Sequence, residues 1–240
     1  MKVILRCVLA LMAMCWSAIL LSDKSDLHAQ SCCPSNYCSL PPPACPGPVC
    51  DYLGGCSYAW ECDSPIVVDV KGEGFHLTSQ ADGVMFQFFG DTKRQVAWTN
   101  PAYGNAWLAL DRNHNGMIDN ATELFGNLTP QPSSPQPNGF RALAVYDLPE
   151  NGGNGDGYIT AADSVYPHLL VWTDKNHNGI SEPDELKTIA QAGIAAITLK
   201  YNEENVKDQF GNIFRYHSSV RTDVIPDYRP IFDVYLVGIN

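Results

Sequence analysis

The chain has 240 residues, of which 45% are hydrophobic and 17% charged, and its formal net charge is −11 at pH 7. This is the composition of an ordinary globular protein with enough material for one sizeable core. The acidic excess disfavours nucleic acid or an anionic membrane surface as a partner, because both would repel the protein, and it suits a protein that collects cations.

The first 30 residues are typical of a secretory signal peptide. Lys2 and Arg6 form a short basic start, and an apolar run follows at residues 7–21. This run is shorter than the roughly 20 apolar residues that a membrane span needs, so an uncleaved anchor is the lesser alternative. We therefore expect a protein that is secreted, or that acts in the periplasm or at the cell surface.

A cysteine-rich and proline-rich segment follows the signal peptide. Seven of the nine cysteines lie between residues 32 and 62. In an oxidising compartment this clustering indicates disulfides rather than a thiolate metal site, although the pairing cannot be deduced from sequence. We interpret residues 31–64 as a disulfide-linked segment or linker that precedes a calcium-binding domain at residues 65–240.

The main domain alternates short apolar runs with glycine-rich loops. Strand-like runs occur at residues 66–70, 84–88, 194–201, 212–217 and 231–237, and another apolar run at 106–110 leads into an Asp-rich loop. Apolar spacing predicts helices at residues 140–146 and 183–191. The predicted fold class is α+β, with short strands and helices linked by EF-hand-like calcium loops.

Two segments, 111–116 and 174–179, are near-copies with oxygen-bearing side chains at positions 1, 3 and 5 and glycine at position 6. Calcium takes about six to eight oxygen ligands, so alternate side chains must converge while the backbone turns sharply at the glycine. The ligands predicted for the second copy are Asp174, Asn176, Asn178, the carbonyl of Ile180, Glu182 and, at position 12, Glu185. Those predicted for the first copy are Asp111, Asn113, Asn115, the carbonyl of Met117, Asp119 and Glu123, which stands one residue after Thr122 at position 12.

A third loop is less regular, because Gly152 would stand at its position 1. Its predicted ligands are Asp147, Asn154, Asp156, the carbonyl of Tyr158 and Asp163, with residues 148–153 as an insertion. For the two near-copies the alternative is turn-forming Asn-Gly hairpins without metal, but these do not explain the alternating oxygens or the trailing carboxylates. His114 and His177, at position 4, are predicted to point away from the ion as exposed side chains.

Six short motifs follow one another along the chain, at residues 65–70, 109–119, 123–126, 138–143, 171–186 and 193–197. In this order they resemble the calcium-binding module of RTX-type secreted proteins, which is best known as a self-processing module. The resemblance covers about residues 65–205. It implies a calcium-dependent fold and, in some members, calcium-triggered cleavage of an Asp-Pro bond immediately before the module.

The equivalent stretch here is Asp63-Ser64-Pro65, and no Asp-Pro dipeptide occurs in the chain. We therefore predict an exported calcium-binding protein without catalytic residues, whose only cofactor is Ca²⁺. The alternative is calcium-triggered self-processing, which would fragment the protein when calcium is added. A dockerin-like adhesion module is disfavoured because the two near-copies are 63 residues apart. The sequence leaves any protein partner open.

Overall fold

The structure is a computed structural model that describes residues 63–88, 90–223 and 227–238, together with two short strands nearer the N-terminus. The chain divides into two units, Met1–Trp60 and Glu61–Asn240. In the first unit, β1 (Val49–Cys50) pairs antiparallel with β2 (Cys56–Ser57). The predicted signal peptide lies outside the described residues, as does the rest of the Cys/Pro-rich segment up to residue 62.

The second unit is built mainly from antiparallel strands. They are β3 (Ile66–Asp69), β4 (Val84–Phe86), β5 (Arg94–Val96), β6 (Asn105–Ala109), β7 (Tyr158–Ile159), β8 (Leu170–Trp172), β9 (Leu186–Thr188), β10 (Ile194–Thr198), β11 (Asn202–Lys207), β12 (Ile213–Thr222) and β13 (Tyr228–Tyr235). Nine strands form one curled sheet in the order β7-β10-β12-β13-β3-β6-β8-β9, with β11 also paired to β12. Strands β4 and β5 pair with each other.

Helical structure is confined to short pieces within the described part of the second unit. The α-helix α1 (Gly139–Ala144) begins at Asn138, whose side chain accepts the Arg141 N–H at 3.0 Å, as a helix-capping residue does. It continues into the 3-10 turn Val145–Asp147. The helix predicted at residues 140–146 is therefore confirmed in position. Further 3-10 turns lie at Ala121–Glu123, Pro149–Asn151 and Tyr166–His168.

The predicted α+β fold class is wrong, because the protein is mostly β. The helix predicted at residues 183–191 is also wrong: Leu186 lies opposite Trp172, and Thr188 opposite Leu170, in the β8–β9 pair. Pairing with a distant strand satisfies these backbone groups and overrides the local helical pattern. The Asp-rich loops are consequently flanked by strands and short turns, not by the two helices of an EF-hand.

An aromatic cluster fills the core behind the sheet. The ring centroid of Trp98 lies 4.9 Å from that of Trp107 and 5.3 Å from that of Trp172, and Phe86 packs on it at 5.0 Å. All four side chains are fully buried. Since β6 and β8 carry two of these tryptophans, the core fixes the strands from which two Asp-rich loops emerge. No helix within the described residues is long and apolar enough to cross a membrane.

Asp233 on β13 is a carboxylate at the centre of the packed unit, with no exposed surface. It accepts the Gly139 N–H at the start of α1 at 2.6 Å and contacts the Ser64 side chain. Burial raises the pKa of Asp233 from 3.8 to about 6, although Ser64, Gly139 and Arg215 favour the charged form. The native state therefore binds this proton more tightly than the unfolded chain does.

The Asp233→Asn variant is expected to change how stability depends on pH. Between pH 4 and 6 the native protein holds more protons at this site than the unfolded chain does. The free energy of unfolding of the wild type therefore falls as pH rises from 4 to 6, and above pH 6 it stays at the lower value. The loss is about 3 kcal/mol. Asparagine cannot lose a proton there but can still accept the Gly139 N–H.

Denaturant unfolding of both proteins at pH 4, 5, 6 and 7 in chelator measures this difference. The other carboxylates titrate in both proteins, so the expected result is a wild-type curve that falls relative to the variant between pH 4 and 6. Curves that run parallel over the whole range would show that burial does not shift this carboxyl.

Candidate calcium loops

The first loop leaves β6 and folds around the carboxylate of Asp111. This carboxylate accepts the N–H groups of Asn115 at 3.2 Å and Gly116 at 2.8 Å. The side-chain amides of Asn113 and Asn115 both donate to Oδ2 of Asp119, at 3.0 and 2.6 Å. The Asn115 N–H also donates to the Asn113 side-chain oxygen at 3.0 Å, so side chains of four predicted ligands lie close together in this loop.

The glutamate that follows position 12 takes the closing place in this loop. Glu123 is 2% exposed. Its carboxylate accepts the N–H groups of Arg112 at 3.0 Å, Asn113 at 3.4 Å and Asp119 at 2.8 Å. The Thr122 hydroxyl instead donates to Asn120 at 2.6 Å. The one-residue shift is absorbed by the 3-10 turn Ala121–Glu123, which rotates the glutamate into the loop.

The loop after β8 repeats this arrangement. Asp174, which is 1% exposed, accepts the N–H groups of Asn178 at 3.1 Å and Gly179 at 2.9 Å. The amides of Asn176 and Asn178 donate to Oε1 of Glu182 at 3.2 and 2.8 Å. Glu182 thus occupies the place of the acidic residue at position 9 in the first loop, and its other oxygen is buried without a hydrogen-bond partner.

Glu185 closes this second copy from the core side. Its Oε1 accepts the Lys175 N–H at 2.7 Å and the Asn176 N–H at 3.4 Å, and its Oε2 accepts the indole N–H of Trp172 at 3.2 Å. Burial raises the pKa of Glu185, and the neighbouring carboxylates of Glu182 and Asp174 add to this effect. The contact with Trp172 joins the loop directly to the aromatic core.

The third loop follows the turn at the end of α1. Asp147 accepts the N–H groups of Gly155 at 3.0 Å and Gly157 at 2.9 Å, as the first aspartates of the other loops do with their glycines. Residues 148–153 protrude from the loop as a compact insertion that contains the 3-10 turn Pro149–Asn151. The Gly153 N–H donates to the Leu148 carbonyl at 3.0 Å and closes this insertion.

The remaining side chains of the third loop lie on the same side as Asp147. The Asn154 amide donates to Asp156 at 2.9 Å. Asp163, which is 2% exposed, accepts the N–H groups of Asn154 at 3.2 Å and Thr160 at 2.7 Å. Asp163 therefore takes the closing place that a glutamate takes in the other two loops.

Backbone geometry at positions 4, 6 and 7 is common to the loops. His114 and His177 at position 4 have φ of 60° and 58°, and the glycines at position 6 also have positive φ. The three residues at position 7 have exposed side chains, which is compatible with a ligand role for their carbonyls: Met117, Tyr158 and Ile180.

The two histidines differ in their surroundings. His114 is exposed, as predicted. His177 is only partly exposed, and its Nε2 lies 2.7 Å from the Asp82 carbonyl. Its own loop glycine packs closely as well, since a Cβ on Gly179 would meet the Met85 carbonyl at 3.0 Å. These contacts hold the loop after β8 against the β4 region, and no local sequence pattern indicated them.

The proposed ligands of the three loops include nine carboxylates. They are Asp111, Asp119, Glu123, Asp147, Asp156, Asp163, Asp174, Glu182 and Glu185. None of them forms an ion pair within residues 63–88, 90–223 and 227–238. In the same residues no three His, Cys, Asp or Glu side chains meet as a metal cluster. The donor set is instead mixed carboxylate, amide and carbonyl oxygen, which fits a hard cation such as calcium.

Comparison with known protein families matches residues 66–228 to the SPM domain. The chain belongs to the SPM domain family. A curated relative is the iron-regulated protein FrpA of Neisseria meningitidis serogroup C, which is 36% identical over 164 residues. The match covers 66% of this chain but 14% of that protein. All three candidate loops lie inside the SPM domain.

Proposed function

We propose that this SPM domain protein is an exported calcium-binding protein in which each of the three loops holds one ion. The observation that carries the proposal is the burial of acidic side chains that have no cationic partner in the part of the chain that the structure describes: Glu123, Asp147, Asp163, Asp174 and Glu185 are each at most 7% exposed. Main-chain N–H groups replace part of the hydration that these carboxylates lose, but a buried charge is ordinarily also paired or bound to a metal ion. A calcium ion in each loop supplies the positive charge.

The loop geometry supports one common way of binding. In each loop the first aspartate is held by main-chain N–H groups, and the closing carboxylate is held by N–H groups from the opposite side of the loop. Oxygens that are already positioned in this way lose little freedom when the ion binds. Calcium is abundant outside cells, so dissociation constants of about 10⁻⁴–10⁻³ M are sufficient for occupancy there.

The proposal that the protein is exported rests on the signal-like residues 1–30 and on the resemblance to modules of RTX-type secreted proteins. During export calcium acts as a folding signal. Where calcium is scarce, the carboxylates of each loop repel one another and the loop stays open; where calcium is plentiful, the ion binds and the loop closes. We propose calcium as the ligand and a binding role for the domain, with no catalytic residue.

Tryptophan fluorescence is expected to report calcium binding, because the Trp172 indole donates to Glu185, a proposed ligand. When the carboxylate turns toward the ion, this hydrogen bond weakens and the emission of a buried indole changes. Titration of the full chain with calcium measures the change. The Trp172→Phe variant, which keeps the other tryptophans, should lose the signal. A flat titration in the wild type would contradict calcium binding at this loop.

The same samples separate binding from self-processing. Asp63 and Ser64 are both buried, and the Ser64 N–H donates to the Asn127 side chain at 2.9 Å. Ser64 lies between the aspartate and Pro65, so a carboxylate attack on the Asp63 carbonyl would break an ordinary secondary amide and expel the Ser64 nitrogen rather than a proline nitrogen. We expect the intact mass of the protein to be unchanged after calcium is added. A calcium-dependent break after residue 63 or 64 would favour the enzymatic alternative.

A further inference from the structure

The two near-copy loops face each other across a local two-fold arrangement. In the β6–β8 pair, Leu108 lies opposite Val171, and the two are 63 residues apart (171 − 108 = 63). Ile118 and Ser181, at position 8 of their loops, are in contact and are also 63 residues apart. Residues at equivalent positions of the two copies therefore meet each other, which makes the two loops a matched pair.

The contact between the loops is a buried hydrogen bond. The Ile118 N–H donates to the Ser181 hydroxyl oxygen at 2.6 Å, and that hydroxyl points back toward the Ile118 carbonyl at 3.4 Å. The two residues are 2% and 1% exposed. A main-chain donor that is buried at such a contact has no water to replace its partner, so the two loops cannot move independently at this point without losing the bond.

Each partner in this bond stands between two proposed ligands. Ile118 follows Met117 and precedes Asp119, while Ser181 stands between Ile180 and Glu182. An ion that binds the carbonyl at position 7 and the carboxylate at position 9 also restricts the peptide at position 8, which lies between them. When an ion orders one loop, the Ile118–Ser181 hydrogen bond therefore also restricts the position-8 residue of the other loop.

The third loop provides an internal contrast. Its residue at position 8 is Ile159, which pairs with Ile197 of β10 at the far edge of the sheet. It has no hydrogen bond to Ile118 or Ser181 within the described residues. The third loop contacts the first through the side chains of Arg112 and Tyr146, a contact that includes neither a position-8 peptide nor a proposed ligand.

We propose that calcium binding is cooperative between the loops that begin at Asp111 and Asp174, with the Ile118–Ser181 hydrogen bond as the coupling element, and that the loop beginning at Asp147 binds independently. This rests on the proposed function, since it assigns regulation to the same sites. Ser181 is a positioning residue here, because its hydroxyl contacts the neighbouring loop and it is not one of the proposed ligands.

The test follows the calcium affinity of the Asp174 loop through Trp172 fluorescence in the full chain. Disabling the first loop with Glu123→Gln is expected to weaken that affinity by about tenfold, a typical coupling between sites. Disabling the third loop with Asp163→Asn should leave the affinity unchanged. In a Ser181→Ala background, the effect of Glu123→Gln should shrink to less than about twofold.

The outcomes separate the inference from the function on which it rests. Absence of any calcium-dependent Trp172 signal would overturn calcium binding at the loop beginning at Asp174, on which the inference rests. A normal titration that is the same in the wild type, Glu123→Gln and Asp163→Asn proteins would overturn the coupling and leave binding intact. These three proteins all retain Ser181, so this comparison holds even if Ser181→Ala does not fold. A Ser181→Ala protein that folds and keeps the tenfold effect would assign the coupling to another contact and overturn the role of Ser181.

Discussion

Calcium is expected to raise the free energy of unfolding by about 2.7 kcal/mol for each loop that it occupies, at a concentration 100 times the dissociation constant. With three occupied loops the total is about 8 kcal/mol, which is comparable to the whole stability of a typical domain. The effect is large because the ion binds the folded loops and not the unfolded chain.

Denaturant unfolding in calcium and in chelator, at equal ionic strength, measures this gain. Magnesium is the matched control cation, since it has the same charge but demands a smaller, octahedral site and gives up its water reluctantly. We expect a gain that is much smaller in magnesium. Unfolding curves that coincide in calcium and chelator would contradict a stabilising role for the ion.

The Glu123→Gln substitution is expected to remove one bound ion, whereas Thr122→Ala should remove none. Counting from Asp111 gives position 12 to Thr122, but it is the Glu123 carboxylate that enters the loop and accepts three main-chain N–H groups. Glutamine keeps the shape of the side chain and an acceptor oxygen but loses the charge and the bidentate carboxylate that close a calcium site.

The loop after β8 offers a second matched pair of variants. Glu185→Gln should also remove one ion, while Asp184→Asn should not, because Asp184 is exposed and pairs with Lys175 at 2.8 Å. Stoichiometry by calcium calorimetry, with far-ultraviolet circular dichroism to confirm folding, distinguishes the four variants. Equal losses from a glutamate and its neighbour would show that general acidity, and not the converging side chains, holds the ion.

The loop geometry could be anticipated from sequence because it depends on contacts between near neighbours. An aspartate that accepts N–H groups four and five residues later, and a glycine with positive φ, are encoded within one short segment. The third loop was less obvious, since a six-residue insertion separates Asp147 from Asn154, and it could be assigned only by allowing that insertion to protrude.

The fold class could not be derived in the same way, because it depends on pairing between distant segments. Residues 183–191 have helical spacing, yet Leu186–Thr188 forms the β9 edge of the sheet. Strand β11 was missed for a different reason: every residue of Asn202–Lys207 is exposed, so the strand has no apolar alternation to reveal it. The Ile118–Ser181 contact likewise joins segments that no local pattern relates.

The most direct test of the account is the number of calcium ions that the full chain binds. Equilibrium dialysis against calcium at about 100 times the dissociation constant, followed by metal analysis of the protein, gives that number. We expect three ions per chain, and two after Glu123→Gln, Asp163→Asn or Glu185→Gln. A wild-type protein that binds no calcium under these conditions would contradict the proposed function.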